Sequence, residues 1–229
     1  FLVLISLLPF KLSNYLSFYF TALLLISLFN LFKKKKIFKF NKLILSLFFV
    51  LFFIISLDIA SKLNLGWDAK WFWYIKSLYF FQDNTYKELS NYTYNDFHPH
   101  FGSYIWAFFR KISFNQYEYF GRLFYLFIYL GSLILISCNF FKKNIYNFII
   151  FILLIIINYK YYYFTGLQEI ILFSFLVIIS KLVYDYIYYR NISNLLFIAL
   201  SLNIILWTKA EGIAFFFITI ICINFIKKI

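Results

Sequence analysis

Asp68 stands in GWDAKWFWYIKS, residues 66 to 77, among Trp67, Trp71 and Trp73 and beside Lys70 and Lys76. A carboxylate walled by aromatic rings has the makings of a general base. It must reach the proton it takes, and partial burial raises its pKa toward a useful value. The plainer reading is a helix-end acid favoured by the N-terminal dipole. Glu169 and Glu211 are further acids next to apolar runs, with Lys209 two residues before the second. Lys209 and Glu211 read either as a local ion pair or as a lysine offering its charge to a phosphate. His98 and His100 flank Pro99 in FHPHFG, with Asp96 just upstream. These residue types suit a divalent cation, but the spacing is not that of a metal site, and a proline-stiffened turn explains it as well. No metal ligand is assigned, and a divalent cofactor stays open.

The elements that must position these residues are membrane helices. Of 229 residues, 64% are hydrophobic and only 14% are charged, and mean hydropathy is +0.80. A soluble domain of this size needs a more polar surface. The composition predicts an all-α polytopic membrane protein, with the lipid bilayer as its first partner. A span needs about 20 mostly apolar residues. Such runs occur at about 14–32, 43–60, 119–140, 145–160, 166–188, 194–209 and 212–226, with the remnant of another at 1–10. That makes about eight transmembrane helices in one domain, 1–229. The chain contains no methionine, so it lacks a start residue and reads as a fragment. Cys138 and Cys222 lie inside apolar runs and read as small core residues.

The net charge of +13 would suggest nucleic acid in a soluble protein. Here the basic residues sit between apolar runs. With Lys33–Lys36, Lys39 and Lys42 inside, the clusters at Lys142–Lys143, Arg190 and Lys227–Lys228 also fall inside. That is the positive-inside pattern, and nucleic acid is excluded as a partner. Residues 61–117 then form a large external loop. Within it, Trp67, Trp71, Tyr74, Ile75 and Leu78 recur at helical spacing and predict a helix lying in the interface. FGSYIWAFFRKI, 101–112, reads the same way. Asp58, Asp68, Glu169 and Glu211 all fall on the external side. A charge deep in a span costs about 2.5–3.5 kcal/mol on insertion scales, so such acids are functional candidates.

Taken in order, these motifs resemble the polytopic glycosyltransferases of the C superfamily, which include dolichyl-phosphate-mannose protein mannosyltransferases and bacterial lipid A aminoarabinose transferases. GWDAKWFWYIKS looks like the GWDA form of that family's first external loop. HPHFGSYIWAFF is similar to its downstream HPPL element, and Gly121–Arg122 to the Gly-Arg that opens the next span. GLQEIILFSFLVI resembles its GYADLPLALF span start, and WTKAEGIAFFF its TKNEG segment. The likeness covers about residues 55 to 226. His100 replaces the second proline, and Glu169 stands where an Asp is usual.

The resemblance implies transfer of a sugar from a polyprenyl-phosphate donor to a hydroxyl of a glycan, lipid or protein acceptor. It places the reaction on the external face of the bacterial inner membrane. Asp68 would be the base. Lys76, Arg122, Lys209 or a metal would supply positive charge to the leaving phosphate, and His98, His100, Glu169 and Glu211 would bind substrate. Other readings stay open. A transporter or flippase would want charges near the midplane and spans broken by Gly or Pro. The chain has six Gly and two Pro, and its acids sit at span ends. A surface-polysaccharide polymerase or ligase would lean on external Arg and His. A purely structural membrane protein would scatter its acids over unrelated faces.

Overall fold

The computed structural model describes residues 11–32, 42–92, 98–113, 116–138 and 143–226. The apolar remnant 1–10, the basic cluster 33–41, Asp96, Lys142 and Lys227–Lys228 lie outside the described residues. Within them the chain forms nine α-helices and no strand. They are α1 Leu12–Phe32, α2 Lys42–Ser61, α3 Tyr74–Phe81, α4 Phe101–Ile112, α5 Glu118–Ser137, α6 Asn144–Asn158, α7 Glu169–Tyr189, α8 Ile192–Thr208 and α9 Gly212–Ile226. A π-helical turn, Ala69–Trp73, leads into α3, and short 3-10 turns lie at Tyr86–Asn91 and Tyr161–Phe164.

Three helices, α2, α5 and α7, are long and apolar enough to cross a membrane. The apolar helices α6, α8 and α9 are shorter, at 15, 17 and 15 residues. Fifteen residues rise about 22 Å, against a hydrocarbon core of about 30 Å. Of the eight spans expected, length and composition therefore establish three. The helices form because long runs of Leu, Ile and Phe carry no interior proline. Their ends are locally determined. Arg190 closes α7 with φ +50. Asn191 opens α8, its side chain accepting the Ser193 N–H at 3.0 Å.

The core lies where α5 meets α2, α4 and α7. Ile59, Ala69, Ile105, Trp106, Tyr125, Leu126 and Ile171 are fully buried there. In α4 every residue from Phe101 to Phe108 is buried. The expected interfacial helix is thus a core helix, enclosed by α3, α5, α8 and α1. Its neighbours come close because two contacts admit no side chain. A Cβ on Gly121 would lie 2.4 Å from the Trp106 carbonyl oxygen, and one on Gly102 would overlap the Gln168 amide. In the 67–81 segment Ala69, Trp73, Lys76, Ser77 and Phe80, themselves at helical spacing, face the core, while Trp67 and Trp71 of the stripe expected to lie in the interface are exposed.

Candidate functional site

Asp68 sits where the π turn begins, in helical conformation, and its side chain makes no capping hydrogen bond. It forms no ion pair with the described residues. A carboxylate that merely served the helix end would be expected to engage the first N–H groups. Asp68 instead lines a cavity of about 210 Å³ together with Phe72, Trp73, His98, Lys209, Ala210 and Glu211. Four of the sequence-predicted site residues thus share one cleft. Asp68 comes from the π turn, His98 from the turn before α4, and Lys209 and Glu211 from the α8–α9 connection.

Glu169 joins the cluster through Lys209. The Lys209 ammonium donates to Glu169 Oε1 at 2.6 Å and lies 3.2 Å from Glu211 Oε1. The other Glu169 oxygen, Oε2, is buried without a hydrogen-bond partner. Lys209 is itself the extended residue that ends α8, and the Gly212 N–H donates to its carbonyl at 2.9 Å. Glu169 opens α7 directly after Gln168. The Gln168 amide donates to the Tyr125 hydroxyl at 2.9 Å, and that hydroxyl donates to the Gly102 carbonyl at 3.0 Å. This buried chain fixes the start of α7 against α4 and α5. Burial alone would raise the Glu211 carboxyl. A hydrogen bond from its own backbone N–H and the Lys209 ammonium outweigh that and hold it below the usual range.

His98 meets the rings of Phe72 and Trp73 edge-on, at 6.0 and 6.1 Å. Burial, then the Lys76 and Lys209 charges, lower its pKa against the opposing pull of Glu211. These influences favour the neutral form of the His98 ring. His100 does not line the cavity. It is buried, stacked on Tyr86 at 4.4 Å and edge-on to Trp207 at 5.6 Å. Burial, and secondarily Lys76, push its pKa down to about 4. Its neutral ring supports the end of α8 just ahead of Lys209.

Lys76 and Arg122 also lie off the cavity. Lys76 is fully buried, and its ammonium donates to the His98 carbonyl at 2.8 Å, tying α3 to the segment that carries His98. Arg122, equally buried, grips Glu118 in a bidentate pair at 3.0 and 2.9 Å and donates to the Phe164 carbonyl at 3.0 Å. All three of its nitrogens are engaged within the protein, so it braces the approach to α7.

No three His, Cys, Asp or Glu side chains converge as a metal site among the described residues. Of the aromatic wall expected around Asp68, Trp73 lines the cavity, and Phe72, four residues after Asp68, is a wall that sequence reasoning did not name. It also missed the 40-residue link between Lys209 and Glu169, for which the sequence carries no local signal. The arrangement puts a carboxylate with no ion pair among the described residues and an ammonium on the lining of one aromatic-walled space. That geometry can take a proton from a hydroxyl while holding an anion nearby. No family model, no curated protein and no solved structure matches the chain.

Proposed function

We propose that this chain is a polytopic membrane glycosyltransferase of about eight spans, acting at the external face of a bacterial inner membrane. It moves a sugar from a polyprenyl-phosphate donor to a hydroxyl of a glycan, lipid or protein. The observation that carries the reading is the single cleft shared by Asp68, His98, Lys209 and Glu211. Its contents are those that inverting transfer asks for. The acceptor oxygen attacks the anomeric carbon, Asp68 takes the hydroxyl proton, and the anomeric C–O bond breaks. The phosphate leaves with the electron pair, so no strong acid is required. Lys209 offsets the charge that grows on the phosphate. Its two carboxylate neighbours keep it at the cavity until the phosphate arrives. Phe72 and Trp73 give the sugar ring an apolar wall.

The test is Asp68→Asn in the full chain, reconstituted in vesicles with a panel of synthetic polyprenyl-phosphate sugars and an added acceptor extract. Release of polyprenyl phosphate is measured. The wild type turns over at least one donor, and the variant loses on the order of 10²–10⁴-fold, the usual worth of a positioned base. Full activity in the variant would remove Asp68 as the base. No turnover of any donor by the wild type would remove the transferase reading.

A further inference from the structure

Beside the cleft, the chain displays two large rings that the core does not use. Trp67 and Trp71 are 71% and 52% exposed, and Asp68 and Lys70 between them are exposed as well. The two tryptophans stand about one helical turn apart and so share a face. The Lys70 ammonium lies 5.7 Å from the centre of the Trp71 ring. This strip is continuous with the cleft. Trp67 meets Phe72 edge-on at 5.8 Å, and Phe72 lines the cleft. The backbone that carries the rings is pinned. The Gly66 N–H donates to the Thr165 carbonyl at 2.9 Å, and the Gly66 carbonyl accepts the Lys70 N–H at 2.8 Å. A Cβ on Gly66 would lie 2.9 Å from Thr165 Oγ1, and Ala69 is fully buried. The same short segment, Thr165 to Glu169, also starts α7, so the strip and the Glu169–Lys209 pair share one support.

We propose that Trp67 and Trp71 form a platform for a glycan acceptor. A pyranose ring stacks on the indoles, and the next sugar presents its hydroxyl to Asp68. The proposal rests on the transferase reading and narrows its acceptor to carbohydrate. The chemistry of the strip selects the occupant. A pyranose has an apolar C–H face and a rim of hydroxyls. The strip offers indole faces for the first, and a carboxylate and an ammonium between them for the second. An acyl chain would cover Asp68 and Lys70 without pairing their charges. The apolar grooves that α2 forms with α5 and with α6 share no lining residue with the cleft. An extended peptide docks by adding a strand to a sheet edge, and the described residues contain no strand.

The experiment titrates the full chain, in phosphatidylglycerol nanodiscs, with cellobiose, chitobiose and mannobiose in the absence of any donor. Binding is followed by saturation-transfer NMR, with protein-free nanodiscs as the blank. At least one disaccharide binds the wild type. Trp67→Ala weakens that binding about tenfold, the scale of a truncated tryptophan contact. Trp67→Phe, which keeps a ring, restores most of it. Trp71→Ala reads the same platform if Trp67→Ala does not fold. The assignment is overturned if no disaccharide binds the wild type, or if a serine-rich peptide binds in their place. Unchanged affinity in Trp67→Ala would also overturn it and make the ring a membrane anchor. The test is independent of turnover. A wild type that binds sugar but releases no polyprenyl phosphate loses the transferase reading alone, and one that turns over donor without binding sugar loses the platform alone.

Discussion

Two basic side chains in this protein each pair with glutamate, and they do opposite things. Arg122 is wholly buried, and its partners are complete: both Glu118 oxygens and the Phe164 carbonyl. Lys209 is partly exposed, shared unevenly between Glu169 and Glu211, and borders a cavity. The same cavity is lined by Asp68, and Glu169 Oε2 is buried nearby; among the described residues the first has no ion pair and the second no hydrogen-bond partner. A closed pair braces a fold. An open one, flanked by unmet hydrogen-bonding capacity, is where a substrate has something to complete. The two stand at either side of one segment, since Phe164 and Glu169 are only five residues apart. The brace therefore fixes the entry of α7, from which the open site is hung.

The largest effect expected is from breaking the brace. Arg122→Met strands Glu118 in a position only partly open to solvent and should cost about 3 kcal/mol. It would be read as a large fall in thermal midpoint of the purified protein in detergent. Arg122→Lys keeps the charge without the fork and should recover only part of the loss. Lys209→Met should leave stability within about 1 kcal/mol, because that pair is partly open to solvent. It should lower transfer about 10²–10³-fold, as loss of one charge at a reacting centre does. If Lys209→Met unfolds the protein as Arg122→Met does, the two sites are alike and the contrast fails.

His100 sharpens the comparison with pH. Its folded pKa, about 4, lies below the ordinary value of 6.5. The neutral form is therefore the one folding prefers, and the unfolded chain binds more protons between those values. The contribution is fully present above about pH 6.5 and is lost as pH falls toward 4. A gap of that size corresponds to roughly 3 kcal/mol. Thermal midpoints from pH 7 to pH 4.5 should fall less steeply in His100→Phe than in the wild type. Parallel curves would mean that His100 is not held neutral by its Tyr86 and Trp207 neighbours.

The parts of this molecule legible in its sequence are those that depend on local pattern. Hydropathy alone marks α2, α5 and α7, because a long apolar run has few other outcomes. The residue types at Asp68, His98, Lys209 and Glu211 were likewise visible one by one. Their meeting was not, because it depends on how α8 ends against the π turn. The enclosure of α4 was illegible for another reason. Phe101–Phe108 is rich in aromatics, and rings suit a membrane interface as well as a core. Gly121 and Gly102 settle the matter by admitting Trp106 and Gln168, and nothing in the spacing of two glycines announces that. That Arg122 is taken up by Glu118, four residues before it, and by the Phe164 carbonyl was not read from the sequence either.

The smallest expected effect is the most discriminating. Asp68→Ala should shift unfolding stability by no more than about 0.5 kcal/mol, the range of surface changes that touch nothing. The carboxylate makes no capping bond, and no ion pair among the described residues, so the fold has little to lose when it goes. An acid retained only for a helix terminus behaves differently. Its replacement by alanine costs about 1 kcal/mol through the vacated N–H groups. Thermal midpoints of Asp68→Ala and wild type, measured side by side, separate the two. Coincident curves leave Asp68 free of structural duty and available to the cavity it lines. A clear fall would make it a helix-end residue, and the aromatic-walled cleft would then lose its base.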